Sequence, residues 1–181
     1  MQIRETKLAE VKLLEPRVFA DSRGFFLESY NQHTFAELGI GENFVQDNHS
    51  RSERGVLRGI HYQLIQPQGK LVRAVRGEIF DVAVDLRRGS PRFGRWTGHF
   101  LSEENKQMLW IPAGFGHGFL VVSAVAEVLY KTTDFYAPQG ERSILWSDPR
   151  IGIEWPDAGA APILSAKDAA GKPLLEAEVF V

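Results

Sequence analysis

The sequence predicts an all-β fold: a jelly-roll β-sandwich with a few short flanking helices, in a single domain spanning residues 1–181. Three observations predict it. Short apolar runs bounded by Gly, Pro, Asn and Asp recur along the whole chain. Long 3.6-residue periodicities are scarce. A chain of 181 residues is long enough to bury one sizeable core and too short for two large domains.

The elements follow in order. "RVFADSRGFFLESY", from Arg17, reads as the first strand region. "NQHTFAELG" reads as a helix, with Asn31 as its cap, Phe35 and Leu38 at helical spacing and Gly39 as its stop. Strands are then expected in "NFVQDNHS" and "GVLRGIHYQ". "KLVRAVRGE" reads as a strand partnering "IFDVAVDL" across a turn at Arg76-Gly77-Glu78. "IFDVAVDL" is the clearest strand, with Phe80, Val82, Val84 and Leu86 on one face and Asp81, Ala83 and Asp85 on the other. "RWTGHFLS", "QMLWIP", "HGFLVVS" and "AEVLYKTTD" complete enough strands for two facing sheets. "SEENK" reads as a single helical turn opened by Ser102. "SAKDAAG" reads as a short helix, with Ser165 and Asp168 in capping-box spacing and Gly171 ending it.

Composition excludes several functions. Twenty-one basic against 23 acidic residues leave a net charge of −2, so no global field favours nucleic acid or an anionic membrane, and any cationic site is local. The absence of cysteine excludes disulfides, thiolate metal sites and a cysteine nucleophile, and fits a reducing compartment. "MQIRETKLAEVKLLEP" lacks a signal-peptide core, and no apolar run approaches membrane-spanning length. The expectation is a soluble cytoplasmic protein.

"RGIHYQ" concentrates chemistry-bearing side chains. A jelly roll enclosing a cavity invites comparison with metal-binding cupins and their His-x-His pair, but here the spacing yields His61-x-Gln63. His117 and Glu78 would complete only a mixed site, and no metal is expected. Strict alternation in "LRGIHYQ" puts His61 with Leu57, Gly59 and Gln63, and opposite Arg58. A bulge at Gly59 is required to bring Arg58 and His61 into one cavity. Taken singly, each candidate has a plain structural account. His61 fits a core histidine, Tyr130 a strand aromatic, Asp168 a helix cap, His117 a ligand of loop backbone, and Lys70 and Arg73 solvated edge charges. Together they suit one reaction class. A carboxylate-held histidine removes a proton next to a ketone, a lysine holds the charge developing on the oxygen, and a tyrosine returns a proton to the opposite face.

Six segments in order carry a resemblance over about residues 1–175: "DSRGFFLESYN", "FVQDNHSRSERGVLRGIHYQ", "QGKLVRAVRGEIFDVAVDLRRGSPRFGRW", "LSEENKQMLWIPAGFGHGFLV", "YKTTDFYAPQGERSILWSDPRIGIEWP" and "LSAKD". With these the chain resembles the dTDP-4-dehydrorhamnose 3,5-epimerases, cofactor-independent enzymes with a cupin-like jelly roll and a dimeric assembly. The resemblance implies His61 as base, oriented by Asp168, with Tyr130 as proton donor and Lys70 near the sugar's C4 oxygen. It implies substrate contacts from Arg23, Glu28, Gln46, Asn48, Arg58, His117, Glu141 and Lys167, with arginine and histidine suited to the diphosphate and Tyr136 stacking on the base. Arg23 and Glu28 are then expected to reach the neighbouring subunit's site. The implied reaction converts dTDP-4-dehydro-6-deoxy-D-glucose to dTDP-4-dehydro-L-rhamnose without a cofactor. Two readings stay open beside it, a single-centre (C3 or C5) epimerase and a non-catalytic sugar-nucleotide binder. Arg142-Ser143 departs from the small residues usual there.

Overall fold

A computed structural model describes residues 1–181. Thirteen strands and two short α-helices form a cupin-like jelly roll. One sheet, in spatial order, contains β1 (Gln2–Arg4), β2 (Lys12–Glu15), β10 (Met108–Ile111), β7 (Lys70–Arg76), β12 (Val125–Thr132) and β5 (Gln46–Glu53). The facing sheet contains β13 (Glu141–Ser143), β6 (Leu57–Gln63), β11 (Phe115–Val121), β8 (Glu78–Asp85) and β9 (Trp96–Ser102). A third ribbon, β3 (Val18–Asp21) with β4 (Gly24–Leu27), pairs only with itself. No helix is long and apolar enough to cross a membrane.

Alternation along each strand decides what faces inward. Val72 and Ala74 of β7, Ala126 and Val128 of β12, Ile79 and Ala83 of β8, and Phe115, Phe119 and Val121 of β11 share the core between the sheets. The other face of β8 is buried as well. Phe80, Val82, Val84 and Leu86 pack with Ile60 and Tyr62 under Ile144, Ile151, Leu174 and Val179 of the C-terminal half. The two faces predicted for "IFDVAVDL" are therefore both present, with the continuously apolar one turned outward under a cover of chain.

The expected hairpin across Gly77 is corrected. β7 and β8 lie in different sheets, so Gly77 carries the chain across the sandwich and does not close a ladder. The crossing is tight: at φ +67° a Cβ on Gly77 would lie 2.0 Å from the carbonyl oxygen of Val125. "SEENK" makes the single turn expected and goes no further. Ser102 ends β9, its amide donates to Oδ1 of Asn105, the Asn105 amide donates back to the Ser102 hydroxyl, and the Lys106 amide closes the turn on the Ser102 carbonyl. Lys106, at φ +54°, ends it. "RVFADSRGFFLESY" divides into β3 and β4, because Oδ1 of Asp21 accepts the Arg23 amide and closes a turn.

The other helices form as expected. In α1 (Gln32–Glu37), Oδ1 of Asn31 accepts the amides of His33 and Thr34, and the buried Phe35 joins Leu14, Leu71 and Met108 on the outer face of the first sheet. Burying that ring contributes about 2 kcal/mol. In α2 (Ala166–Ala169) the Ser165 hydroxyl caps the Asp168 amide.

Gly77→Ala is expected to cost at least about 2 kcal/mol, because it combines a disfavoured φ with a backbone clash. At about 2–4 °C per kcal/mol for a chain of this size, thermal unfolding should show a loss of several degrees. An unchanged melting temperature would mean the crossing is looser than described.

Candidate active site

The inner faces that carry the core run on into a polar cavity. Lys70 precedes Val72 and Ala74 on β7, and Tyr130 follows Ala126 and Val128 on β12. His117 and Phe119 share the inner face of β11, and Asp81 lies between Ile79 and Ala83 on β8. The cavity measures about 360 Å³ and is lined by Gln46, Asn48, His61, Lys70, Tyr130 and Glu141 among others.

β6 enters this cavity out of step with strict alternation. His117 pairs with His61 and Phe119 with Arg58, so between these pairs β6 carries two residues, Gly59 and Ile60, where β11 carries one, Gly118. Gly59 is the extra residue; it has φ +126°, and a Cβ there would meet Cα of Gly118 at 2.4 Å. The bulge puts Leu57, Ile60 and Tyr62 into the outer clusters. Arg58 turns to the inner side, where its Nε donates to the Ser52 hydroxyl and its charge acts on Tyr130. Arg58 and His61 thus come to the same side of β6 by the bulge that strict alternation lacks, although Arg58 stays exposed and outside the cavity lining.

His61 meets a carboxylate from 107 residues further along the chain. Its Nε2 is 2.6 Å from Oδ1 of Asp168, a close contact lying off the line of an ideal ring N–H bond. The same Oδ1 accepts the Gly59 amide at 3.1 Å, and Oδ2 accepts the Ser165 hydroxyl at 2.6 Å. Burial disfavours the Asp168 charge, but the bonds from His61, Ser165 and Gly59 outweigh it and hold the carboxyl far below the usual range. Asp168 is therefore more than the cap residue that its spacing allows: its backbone amide is capped by Ser165 while its carboxylate faces His61.

Lys70 is buried, and its ammonium has no hydrogen-bond or ion-pair partner in the chain. Burial brings its pKa down to about 8, against the attraction of Asp81 and Glu141. Neither it nor the half-buried Arg73 is a solvated edge charge. The phenol of Tyr130 is pushed upward by burial, so it remains a proton carrier through the neutral range. Its ring lies 6.5 Å from that of His117.

The cavity rim is tied together. Tyr136 donates its hydroxyl to Oε2 of Glu141, the other Glu141 oxygen pairs with Lys167, and the Tyr136 amide donates to Gln46 Oε1. Gln46 donates its amide to Asn48. The exposed ring of Tyr136 stands free for stacking. Gln63, where a cupin would place a metal ligand, is spent on backbone: its amide donates to the Gln66 and Phe135 carbonyls and its oxygen accepts the Ala137 amide.

Three expected residues stand elsewhere. Arg23 pairs with Asp21 at the tip of the β3–β4 ribbon, and Glu28 accepts from Asn31, both outside the cavity of their own chain. His117 belongs to β11 and not to a loop. It is 6% exposed, and its Nε2 lies 2.7 Å from Oδ1 of Asp81. Burial lowers its pKa more than Asp81 raises it. Sequence reasoning missed Asp81 and Ser165 as parts of the site. A carboxylate at the centre of the apolar "IFDVAVDL" was the available signal for Asp81. Of the departing pair, Arg142 binds Glu178 away from the cavity, while Ser143 sits opposite His61 with its hydroxyl buried and unpartnered.

The family profile described as dTDP-4-dehydrorhamnose 3,5-epimerase matches residues 5–176. A dTDP-4-dehydrorhamnose 3,5-epimerase of Pseudomonas aeruginosa is 62% identical over 98% of this chain and 99% of its own. A Legionella pneumophila dTDP-6-deoxy-D-glucose-3,5-epimerase, solved in complex with dTDP-4-keto-L-rhamnose, superposes with a TM-score of 0.95 at 53% identity, covering 98% of this chain and 94% of that one. A 3'-monoepimerase of Streptomyces bikiniensis with bound dTDP-quinovose gives 0.88 at 36%, covering 94% and 87%.

Asp168→Asn keeps the shape and removes the charge. A depressed native carboxyl contributes stability that is fully present above the unfolded value of about 3.9 and lost as pH falls through the folded one. The variant's deficit in thermal unfolding is therefore expected to be full at pH 7 and to shrink below about pH 4. An equal deficit at every pH would assign the loss to packing.

Proposed function

We propose that this chain, which belongs to the dTDP-4-dehydrorhamnose 3,5-epimerase family, inverts C3 and C5 of dTDP-4-dehydro-6-deoxy-D-glucose to form dTDP-4-dehydro-L-rhamnose. The observation that carries the reading is one cavity lined together by a carboxylate-held histidine, a buried lysine without a partner and a half-buried tyrosine. A binding module has no use for a base and an acid in one cavity. Deprotonation next to a ketone needs both, plus a cation for the oxygen.

The steps follow from what each side chain can do. His61 takes the proton from the carbon next to the C4 ketone. The C–H electron pair moves into the new C=C bond, and the C=O pair moves to the oxygen. The Lys70 ammonium faces that oxygen and stabilises the enolate, more strongly than a fully solvated ammonium because Lys70 is buried. Tyr130 then gives its proton to the opposite face of the carbon, which inverts the centre, and solvent resets both groups. Repetition at the second carbon yields the product. Arg58 serves the diphosphate as a cation at the mouth, and Tyr136 offers its ring to the base.

The assembly we propose is a homodimer. Phe19, Phe25 and Phe26 are 50%, 58% and 69% exposed on a ribbon that pairs with no other strand. A lone two-stranded ribbon bearing three exposed phenylalanines is marginal in water and calls for a covering surface. A second copy would supply that cover and bring Arg23 and Glu28, at the ribbon's tip and base, toward a cavity other than their own.

Two measurements test the reading. In heavy water, proton NMR should show loss of the C3 and C5 signals of the substrate with wild type and at least a thousandfold slower loss with His61→Ala, in line with removal of a general base. Exchange at C3 alone would make this a single-centre epimerase like the Streptomyces bikiniensis relative. Binding without exchange would leave a sugar-nucleotide binder. By sedimentation, wild type should run at twice the chain mass and Phe26→Asp at the chain mass with reduced turnover. A fully active monomer would sink the proposed assembly.

A further inference from the structure

Asp81 has no exposure to solvent, and the steps above make no use of it. Its Oδ1 lies 2.7 Å from Nε2 of His117, whereas Oδ2 has no hydrogen-bond partner. A buried anion with one oxygen unbonded is costly, and the fold does not require it: its inward neighbours on β8 are Ile79 and Ala83. Such an exception points to function.

His117 does not neutralise it. Burial holds the imidazole toward its uncharged form despite Asp81. His99, the β9 residue paired with Asp81, is also pushed toward neutrality by burial, and its Nε2 is engaged with the Thr97 hydroxyl. The cation within reach is Lys70. Among the charges acting on it, Asp81 favours the ammonium most strongly, Glu141 of β13 adds to this, and Lys167 of α2 opposes. The strands flanking Lys70 present only Ile111 and Thr132 in register. His61 lines the cavity from the facing sheet, Tyr130 stands on the strand next to Lys70 in the same sheet, and Lys70 is among the charges acting on His117.

We propose that Asp81 is a positioning residue, the buried counter-charge that keeps Lys70 an ammonium ion at the cavity floor and fixes His117 with Nε2–H donating inward. The arrangement answers a physical problem. An ammonium buried without a bonded partner tends to shed its proton, yet a direct carboxylate partner would neutralise it and compete with the enolate oxygen. Setting the carboxylate against His117 instead of against Lys70 keeps the charge and leaves the ammonium's N–H donors free. Asp81 acts on the reaction only through Lys70 and His117, and its catalytic consequence rests on the epimerase reading.

The test is a ¹⁵N NMR titration of the lysine Nζ groups in the full chain, with Lys70 assigned by its absence from Lys70→Met. In wild type Lys70 should titrate near about 8. Asp81→Asn is isosteric and still accepts from His117; there the midpoint should fall by about one pH unit, a tenfold loss of ammonium above it. The alkaline limb of solvent exchange into the substrate should fall by the same amount. His117→Gln leaves the Asp81 charge in place, so its Lys70 midpoint should stay near the wild-type value even if Asp81→Asn folds poorly. An unmoved midpoint in Asp81→Asn, or a drop of equal size in His117→Gln, overturns the proposal. A wild type that exchanges no deuterium would sink the epimerase reading alone, because the titration needs no substrate.

Discussion

The contact between Gly59 and Gly118 is the constraint on which the site depends. Two backbones approach so closely there that neither strand tolerates a Cβ without movement. The extra residue this allows in β6 re-phases the strand by one position, and a shift of one position moves every later side chain to the other face. Leu57 and His61 are four apart and would share a face in a regular strand; here Leu57 packs outward and His61 lines the cavity. The same re-phasing frees the Gly59 amide to donate to Asp168. One local irregularity thus aims His61, brings Arg58 to the same side and anchors the carboxylate that stands against His61.

The two imidazole–carboxylate pairs illustrate how surroundings divide roles among identical side chains. His61–Asp168 opens onto the cavity, and its carboxylate is saturated by a backbone amide and a hydroxyl. His117–Asp81 is shut inside, and its carboxylate keeps one oxygen unbonded. A saturated carboxylate is rigid and firmly ionised, which suits holding a base in one orientation. An unsaturated buried one projects its charge through a low-dielectric interior and suits acting at a distance.

Much of this was legible in the sequence, for physical reasons that also mark where legibility ended. Alternation identified the faces of β8, and the signals at Asn31 and Ser165 marked both helix starts, because such patterns are local. The sheet membership of β7 and β8 was not legible. A glycine between two strands serves equally for a hairpin and for a crossing, and only the partners found elsewhere in the chain decide between them. The single turn in "SEENK" was legible from Ser102, which opens it by exchanging bonds with Asn105, whereas its stop at Lys106 carries no glycine to announce it. Of the site, the chemistry of His61, Tyr130, Lys70 and Asp168 suggested one reaction class from the sequence, but that their side chains come together depends on pairings between distant strands that no local pattern encodes. The bulge was framed as a condition for Arg58 and His61 to share a side, and the pair Gly59–Ile60 opposite Gly118 supplies it.

The site also explains why so charged an interior is compatible with a stable fold. Lys70, Tyr130 and His117 sit on the same inner faces as Val72, Val128 and Phe119, so each polar group is separated from apolar core by a single alternation step. Every strand that contributes a reactive group also contributes core residues, and the ladder that secures the second positions the first. The two ends also touch through side chains: the Tyr130 ring packs against the core cluster, and the His117 ring lies 6.2 Å from that of Phe119. Continuity along one sheet face is how a sandwich holds a charged cavity at one end while an apolar core at the other keeps the sheets together.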